Sequence, residues 1–394
     1  MSTRYPSGSQ NDQPDDRPAP LLDHGSEEIA ILLPPGEGFS AKSAGALALF
    51  VHETALNSRF SGAITVYGRP VDQPFKTAHF HPLSTDTRWF QSRSKQYIKR
   101  FIKALKERDN LPSLIEIQNR PRYLPWIKQP YTDIPILLSL HNDPRSMKGM
   151  KTARECRESL ARCETVTCCS DYMRDKLCLA VDPALQKRVF TVYHGVQIHP
   201  LKEKTPTILF AGRLVEEKGV IELAEACRDL LPHHPDWSLL IAGSESHGSK
   251  AGVSHFARRL YRILRKLGRQ AVMTGFISHK KLISLMAEAA IVVVPSKWEE
   301  PFGRVAAEAL STGSILVTSG KGGLKEIAGK SGIILPEVSA AAIKETLKEI
   351  IEMPEQQRKK LQKKCHDRAQ KFSLADISRQ LDSVREKALS GKMR

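Results

Sequence analysis

Residues 291–323, IVVVPSKWEEPFGRVAAEALSTGSILVTSGKGG, limit the possible fold more than any other stretch. Ile291, Val292, Val293 and Val294 form a β-branched run that stops at Pro295, the pattern of a buried parallel strand. A polar loop, 296–300, follows. Pro301 suits the first turn of a helix, where its missing N–H has no partner to lose. The pattern predicts that this helix runs through Val305, Ala306, Ala309 and Leu310 to Gly313. A second apolar strand, 315–317, then leads to a loop with Gly320, Gly322 and Gly323. Strand, loop, helix, strand is the unit of a parallel α/β sheet, and here it sets Glu300 and Glu308 on either side of a helix start.

A helix start offers unpaired N–H groups and a positive dipole end to phosphate and other electron-rich oxygens. The backbone at Phe302 and Gly303 can approach such a group. Glu300 can accept from sugar hydroxyls, and Glu308, about two turns on, can reach a diol such as a ribose. The same residues also fit a plain structural arrangement, with Glu308 paired to Arg304 at i,i+4 and Glu300 capping the helix.

Strand and helix alternate along the rest of the chain. Residues 29–33 read as a strand ending at Pro34 and Pro35. Gly36, Glu37 and Gly38 follow, then a helix over 44–56, the opening of a Rossmann-like unit. No full G-x-G-x-x-G with an acidic ribose binder is present, which argues against a nicotinamide cofactor. Further strands fall at 63–66, 114–117, 135–140 (ending at His141), 166–170 and 190–193 (ending at His194). Residues 197–206 are polar and bracketed by prolines, as in an interdomain linker. The alternation then restarts with a strand at 207–210 and a loop carrying Arg213 and Lys218. An arginine grips phosphate through parallel N–H bonds and a lysine adds a mobile point charge; solvated charges paired with Glu216 and Glu217 are the plainer reading. Strands at 239–242, before Gly243, and 272–275, before Phe276 and Ile277, complete the pattern.

Two stretches together resemble a known family. Glu300-Pro-Phe-Gly-Arg-Val-Ala-Ala-Glu308 looks like the E-x7-E signature of retaining glycosyltransferases of family 4 (group 1), and it precedes a Gly-Gly-Leu-x-Glu segment, Gly322 to Glu326. Gly212-Arg-Leu-x-x-Glu-Lys-Gly219 is similar to that family's second hallmark. The resemblance implies an α/β fold of the GT-B type, with two Rossmann-like doubly wound domains facing each other across a cleft. It divides the chain into a disordered tail (1–26), an acceptor-binding domain (27–196), a linker (197–206) and a nucleotide-sugar domain (207–374), with the terminal helix, 375–394, packing back on the first domain. The implied reaction is transfer of a hexosyl group from a nucleotide-diphospho sugar, with retention, to a glycan or lipid-linked acceptor. Arg213 and Lys218 would neutralise the leaving diphosphate, Glu300 would orient donor hydroxyls, and His141 would contact the sugar from the opposite wall. Glu308, Phe302, Gly303 and Gly243 would bind the donor, with Phe276 and Ile277 at the base. Gly36 and Gly38 would lie near the acceptor and the donor phosphates. The resemblance implies no metal and no other cofactor, since basic side chains usually replace the cation in this fold. Two departures stand out: Glu37 splits glycines that the family often has adjacent, and His194 stands where asparagine is common. The early LLPPGEGFS and the central HNDP are similar to lipopolysaccharide-core and exopolysaccharide transferases.

The formal charge of +17 calls for an anionic partner: phosphate, nucleic acid or membrane. In 88–108 the apolar residues Tyr97, Phe101 and Leu105 recur at helical spacing among many cations. That suits an anionic bilayer surface, and equally an ordinary helix whose apolar stripe faces the core. Residues 256–267 form a second basic helix. No aromatic RNA-binding signature accompanies them, so nucleic acid is not expected. No apolar run reaches the eighteen or so residues that span a bilayer, and the N-terminus has no apolar core of a secretory signal. The expected place is the cytoplasm, including the cytoplasmic face of a membrane. Seven cysteines without a C-x-x-C pair read as small core residues rather than zinc ligands. Two rival functions remain: a sugar-nucleotide epimerase on the same architecture, and a non-catalytic nucleic-acid binder using the basic helices.

Overall fold

The computed structural model describes residues 27–84, 93–245 and 254–391. The tail at 1–26 therefore lies outside the described residues, as does the start of the first basic helix. The first half contributes strands β1 (Ile29–Leu32), β2 (Ile64–Gly68), β3 (His79–Pro82), β4 (Leu114–Gln118), β5 (Ile136–Leu140), β6 (Thr165–Cys168) and β7 (Val189–Thr191). They form one parallel sheet in the order β3-β2-β1-β4-β5-β6-β7. The second half contributes β8 (Thr205–Ala211), β9 (Ser238–Ala242), β10 (Ala271–Gly275), β11 (Ala289–Val294), β12 (Ile315–Thr318) and β13 (Ile333–Ile334), again all parallel, in the order β10-β9-β8-β11-β12-β13. Parallel sheets are covered by helices on both faces, so their strands are apolar throughout rather than alternating. β11 is buried at all six positions. This is the expected pair of doubly wound α/β units. β3 and β13 were not anticipated, because neither His-Phe-His-Pro nor two isoleucines makes an apolar run long enough to register.

In each sheet the order reverses direction once, between β1 and β4 and between β8 and β11. The carboxyl ends of strands at such a switch point open into a crevice. β8 starts at Thr205, two residues earlier than the pattern suggested. Pro206 is tolerated there because the ladder with β11 slips between Ala289 and Ile291, at the strand's first residues.

The chain crosses between the halves twice, side by side. Val196 N–H donates to Phe372 O (2.8 Å) and Leu374 N–H donates to Val196 O (3.2 Å). After the second crossing the helix Leu374–Leu389 lies on the first lobe: its Asp382 accepts from Ser58 Oγ–H (2.7 Å) and Arg385 donates to Glu116 (2.9 Å).

The helix Arg93–Lys106 settles the choice left by its sequence. Tyr97, Ile98, Phe101 and Leu105 are all buried in the first lobe's core, while Lys95, Lys99, Arg100, Lys103 and Lys106 are exposed. The apolar stripe is therefore occupied, and what faces outward is charge. All seven cysteines are unpaired, six of them buried. No helix among the described residues is long and apolar enough to cross a membrane.

Candidate active site

The loops after β8 and β11 meet at the switch point of the second sheet. Gly219 makes this meeting possible. Its φ is +69°, and a Cβ there would stand 2.1 Å from the carbonyl oxygen of Pro295 at the end of β11. Lys297 N–H donates to Glu217 O (2.8 Å) and ties the same two loops together. The result is that Lys218 Nζ donates to Glu300 Oε1 at 2.5 Å, and Ser296 Oγ–H donates to the same oxygen at 2.6 Å. Trp298, 41% exposed, places its ring 5.4 Å from Lys218 Nζ, within cation–π range. Arg213, exposed in the first of these loops, makes no side-chain hydrogen bond or ion pair among the described residues. The mouth thus holds one cation neutralised by Glu300 and one available. Gly243, after β9, lies directly against this loop: a Cβ there would be 1.8 Å from Gly212 O. Phe276 is 68% exposed past the end of β10, and Ile277 packs partly against the core.

The helix begins at Arg304, with Gly303 as its left-handed N-cap at φ +102°, and ends at Ser311. This corrects the expected start at Pro301, and with it the idea that Glu300 caps the helix. The backbone of Glu300 pairs with Gly322, and Gly323 N–H donates to Glu300 O (2.8 Å), an extended contact no helical turn can include. The N–H groups of Phe302, Gly303, Arg304 and Val305 have no acceptor among the described residues, leaving a free helix start beside Glu300. The side chain of Phe302 is 3% exposed and packs between lobes, its ring 5.2 Å from that of His194 and 5.9 Å from that of Tyr193. Its backbone, not its ring, faces any ligand question.

Glu308 is 3% exposed. Arg304 Nε donates to its Oε1 at 2.7 Å, so the i,i+4 pair exists, and His279 Nε2 donates to the same oxygen at 2.8 Å. Burial pushes this carboxyl up, but the Arg304 and His279 contacts outweigh burial and hold it below its usual 4.5.

On the opposite wall His141 follows β5 and is buried. Gln118 Nε2 donates to Glu116 Oε1 (2.5 Å), so Gln118 Oε1 faces His141 Nε2, 2.7 Å away, which must donate. His141 Nδ1 is then an acceptor and takes the proton of His194 Nε2 at 2.8 Å. His194 Nδ1 is left as a bare, buried lone pair, without a partner. Burial keeps both rings neutral, lowering His141 to about 3 and His194 well below the ordinary 6.5. Both ring nitrogens of His141 are therefore committed internally, and the expected contact of its ring with a sugar is not available in this arrangement.

The loop with Gly36 and Gly38 also departs from expectation. Glu37, the residue that splits the glycines, turns its carboxylate onto the start of the helix Ala46–Leu56, accepting from Gly45 N–H (3.0 Å) and Ala48 N–H (3.4 Å). The protein's own anion fills that helix start. Gly36 borders open space, and Gly38 lies under Ser43 and Arg69.

Several residues that join the lobes were not foreseen. Ser170 Oγ–H donates to Pro301 O (2.5 Å). Glu326 accepts from Asp171 N–H (2.8 Å) and Tyr172 N–H (2.6 Å), and Tyr172 reaches Glu299. Arg304 donates to Glu53 through both terminal nitrogens (2.8 and 2.5 Å). Glu116 could have been noticed, since a carboxylate between two isoleucines of a buried strand has to find a partner. No group of three metal-ligating side chains is assembled among the described residues.

Residues 196–372 match the model of the glycosyl transferases group 1. The chain is 28% identical over 246 residues to spore coat protein SA of Bacillus subtilis, covering 56% of this chain and 64% of that protein. It is 30% identical over 236 residues to the putative glycosyltransferase YtcC of the same organism, covering 54% of this chain and 57% of that one. The chain thus spans less than two thirds of the length of these relatives. Among solved structures, Anabaena HepE in complex with UDP and glucose superposes with a TM-score of 0.70 at 18% identity, over 92% of this chain and all of that one, a likeness of fold.

Proposed function

We propose, from the match of residues 196–372 to the model of the glycosyl transferases group 1, that the protein transfers a hexosyl group from a nucleotide-diphospho sugar, with retention at the anomeric carbon, in the manner of family 4. The observation that carries this reading is the contact of Lys218 with Glu300 at the mouth of the second sheet, beside a helix start with free N–H groups. Arg213 and Lys218 receive the diphosphate as its bond to the anomeric carbon breaks, and such preorganised stabilisation of a departing anion is usually the largest catalytic contribution. Glu300, released by Lys218 when the diphosphate arrives, accepts from donor hydroxyls. The amides of Phe302 and Gly303 support the same anion, Glu308 receives the ribose, and Phe276 and Ile277 border the base. No metal is required, because two side-chain cations supply the charge.

The acceptor is a glycan or lipid-linked sugar, reached from the cytoplasmic face of a membrane, as in lipopolysaccharide or exopolysaccharide assembly. The net charge of +17 and the exposed cations of the helix Arg93–Lys106 support that reading. With the apolar stripe of this helix buried, attraction to acidic lipid is electrostatic, about 1 kcal/mol per surface lysine or arginine.

A thermal-shift screen with UDP-, GDP- and ADP-sugars tests the proposal. A ligand at 100 times its Kd adds about 2.7 kcal/mol of stability, and one series should raise the melting midpoint. No shift with any of them, together with no sugar release, refutes the donor assignment.

A further inference from the structure

Resting on the reading above, in which Glu308 receives a ribose, the surroundings of that carboxylate assign roles to two further residues. The oxygens of Glu308 are not equivalent. Oε1 accepts from Arg304 Nε (2.7 Å) and His279 Nε2 (2.8 Å). Oε2 has no partner among the described residues and is the oxygen left for a ligand. Arg304 turns its other edge to the first lobe, where Nη1 donates to Glu53 Oε2 (2.8 Å) and Nη2 to Glu53 Oε1 (2.5 Å). A guanidinium is planar and rigid, so a two-pronged grip by Glu53 also fixes the direction of Nε. The side chains of Glu53, Arg304 and Glu308 are 16%, 14% and 4% exposed, so water does little to loosen the chain of contacts.

We propose that Glu53 and Arg304 are positioning residues that tie nucleotide recognition to closure of the lobes. Glu53, on the helix Ala46–Leu56 of the first lobe, orients Arg304 at the start of the helix Arg304–Ser311 of the second; Arg304 then sets the rotamer of Glu308, with Oε2 presented. When the lobes part, Glu53 leaves, Arg304 regains its rotamers, and the acceptor for the ribose is no longer fixed. Coupling of this kind is reciprocal: a ribose that needs Oε2 in place favours the closed lobes by the same factor.

The test is the preference for ribose over 2′-deoxyribose, measured by calorimetric titration of the full chain with the nucleoside diphosphate of the preferred donor and its 2′-deoxy analogue. A hydrogen bond to a charged acceptor predicts a wild-type preference of about 10–100-fold. Glu53→Gln should bring the ratio close to one although Glu53 touches no nucleotide. Arg304→Lys, which keeps the charge but replaces the rigid planar fork with a flexible point charge that cannot fix the direction of its bond to Glu308, should do the same and serves if Glu53→Gln fails to fold. A merely structural pair would lower the melting midpoint and leave the ratio intact; folded variants that keep the wild-type ratio overturn the inference while the donor reading stands. A wild type that binds the nucleotide without preferring ribose also overturns it. A wild type that binds no nucleotide overturns the donor reading itself, and this inference with it.

Discussion

Replacing Arg385 by alanine should destabilise the first lobe more than any surface change of similar size. Arg385 is 1% exposed and Glu116 wholly buried, with Nε 2.9 Å from Glu116 Oε2. The same guanidinium donates to Asp382 Oδ1 at 3.1 Å and Ser58 Oγ at 3.3 Å. Arg385→Ala leaves Glu116 with one neutral donor, Gln118, inside a parallel sheet. Removing one partner of a buried pair costs about 3–5 kcal/mol because the other charge stays behind uncompensated. For a folding unit of about 150–250 residues, the size of the first lobe, each kcal/mol moves the melting midpoint by roughly 2–4 °C, so the fall in that lobe's transition should be about 6–20 °C. Scanning calorimetry at pH 7 measures it, and the drop should persist in 1 M salt, where the Debye length of about 3 Å screens exposed charges but not this pair. Arg385→Met combined with Glu116→Leu and Asp382→Asn removes all three buried ions of the cluster and should recover most of the loss. A fall under 2 °C for the single variant, or a combined variant no better than the single, would refute the reasoning that an orphaned charge sets the cost.

Three further outcomes are expected. Arg213→Ala and Lys218→Ala should each lower transfer by something like the 10²–10³-fold typical of losing one preorganised donor to a developing anion, and near-normal turnover in both would remove the phosphate clamp. His141 and His194 are neutral when folded and basic when unfolded, so unfolding takes up protons once pH drops below 6.5; their contribution is complete above that value and is lost as pH falls through about 3 for His141. His194→Asn should flatten the acid slope of stability by up to about 1.4 kcal/mol per pH unit, and an unchanged slope in urea titrations would contradict the buried neutral ring. Vesicles containing acidic lipid should sediment the protein at low salt and release it at high salt, while binding that ignores salt would mean an apolar contact that the buried stripe of Arg93–Lys106 does not offer.

The fold was largely legible because apolar runs such as IVVV and IAIL report a buried parallel strand without help from context. Short or mixed strands, β3 and β13, were hidden because their pairing comes from the neighbouring strand. The candidate site was legible as a list of residues in two loops, since glycine, arginine, lysine and glutamate mark strand-to-helix turns. What the sequence could not reveal is which of them already satisfy one another. The closeness of Lys218 to Glu300 depends on the fit of Gly219 against Pro295, and the engagement of His141 depends on Gln118 in a strand two dozen residues away. Glu37 shows the same limit: its spacing suggested an interrupted glycine loop, and only in three dimensions does its carboxylate fill a helix start.

The placement of the helix Leu374–Leu389 also carries a consequence for how the chain matures. Synthesis delivers residues 27–196 before the second lobe, yet the cation that Glu116 needs arrives only with residue 385, after that lobe has been made. Of the two lobes, the one begun earlier is therefore finished later, and until the second has been made it holds a carboxylate that has no counter-charge to meet. Its nascent form should be the one that chaperones and proteases find open.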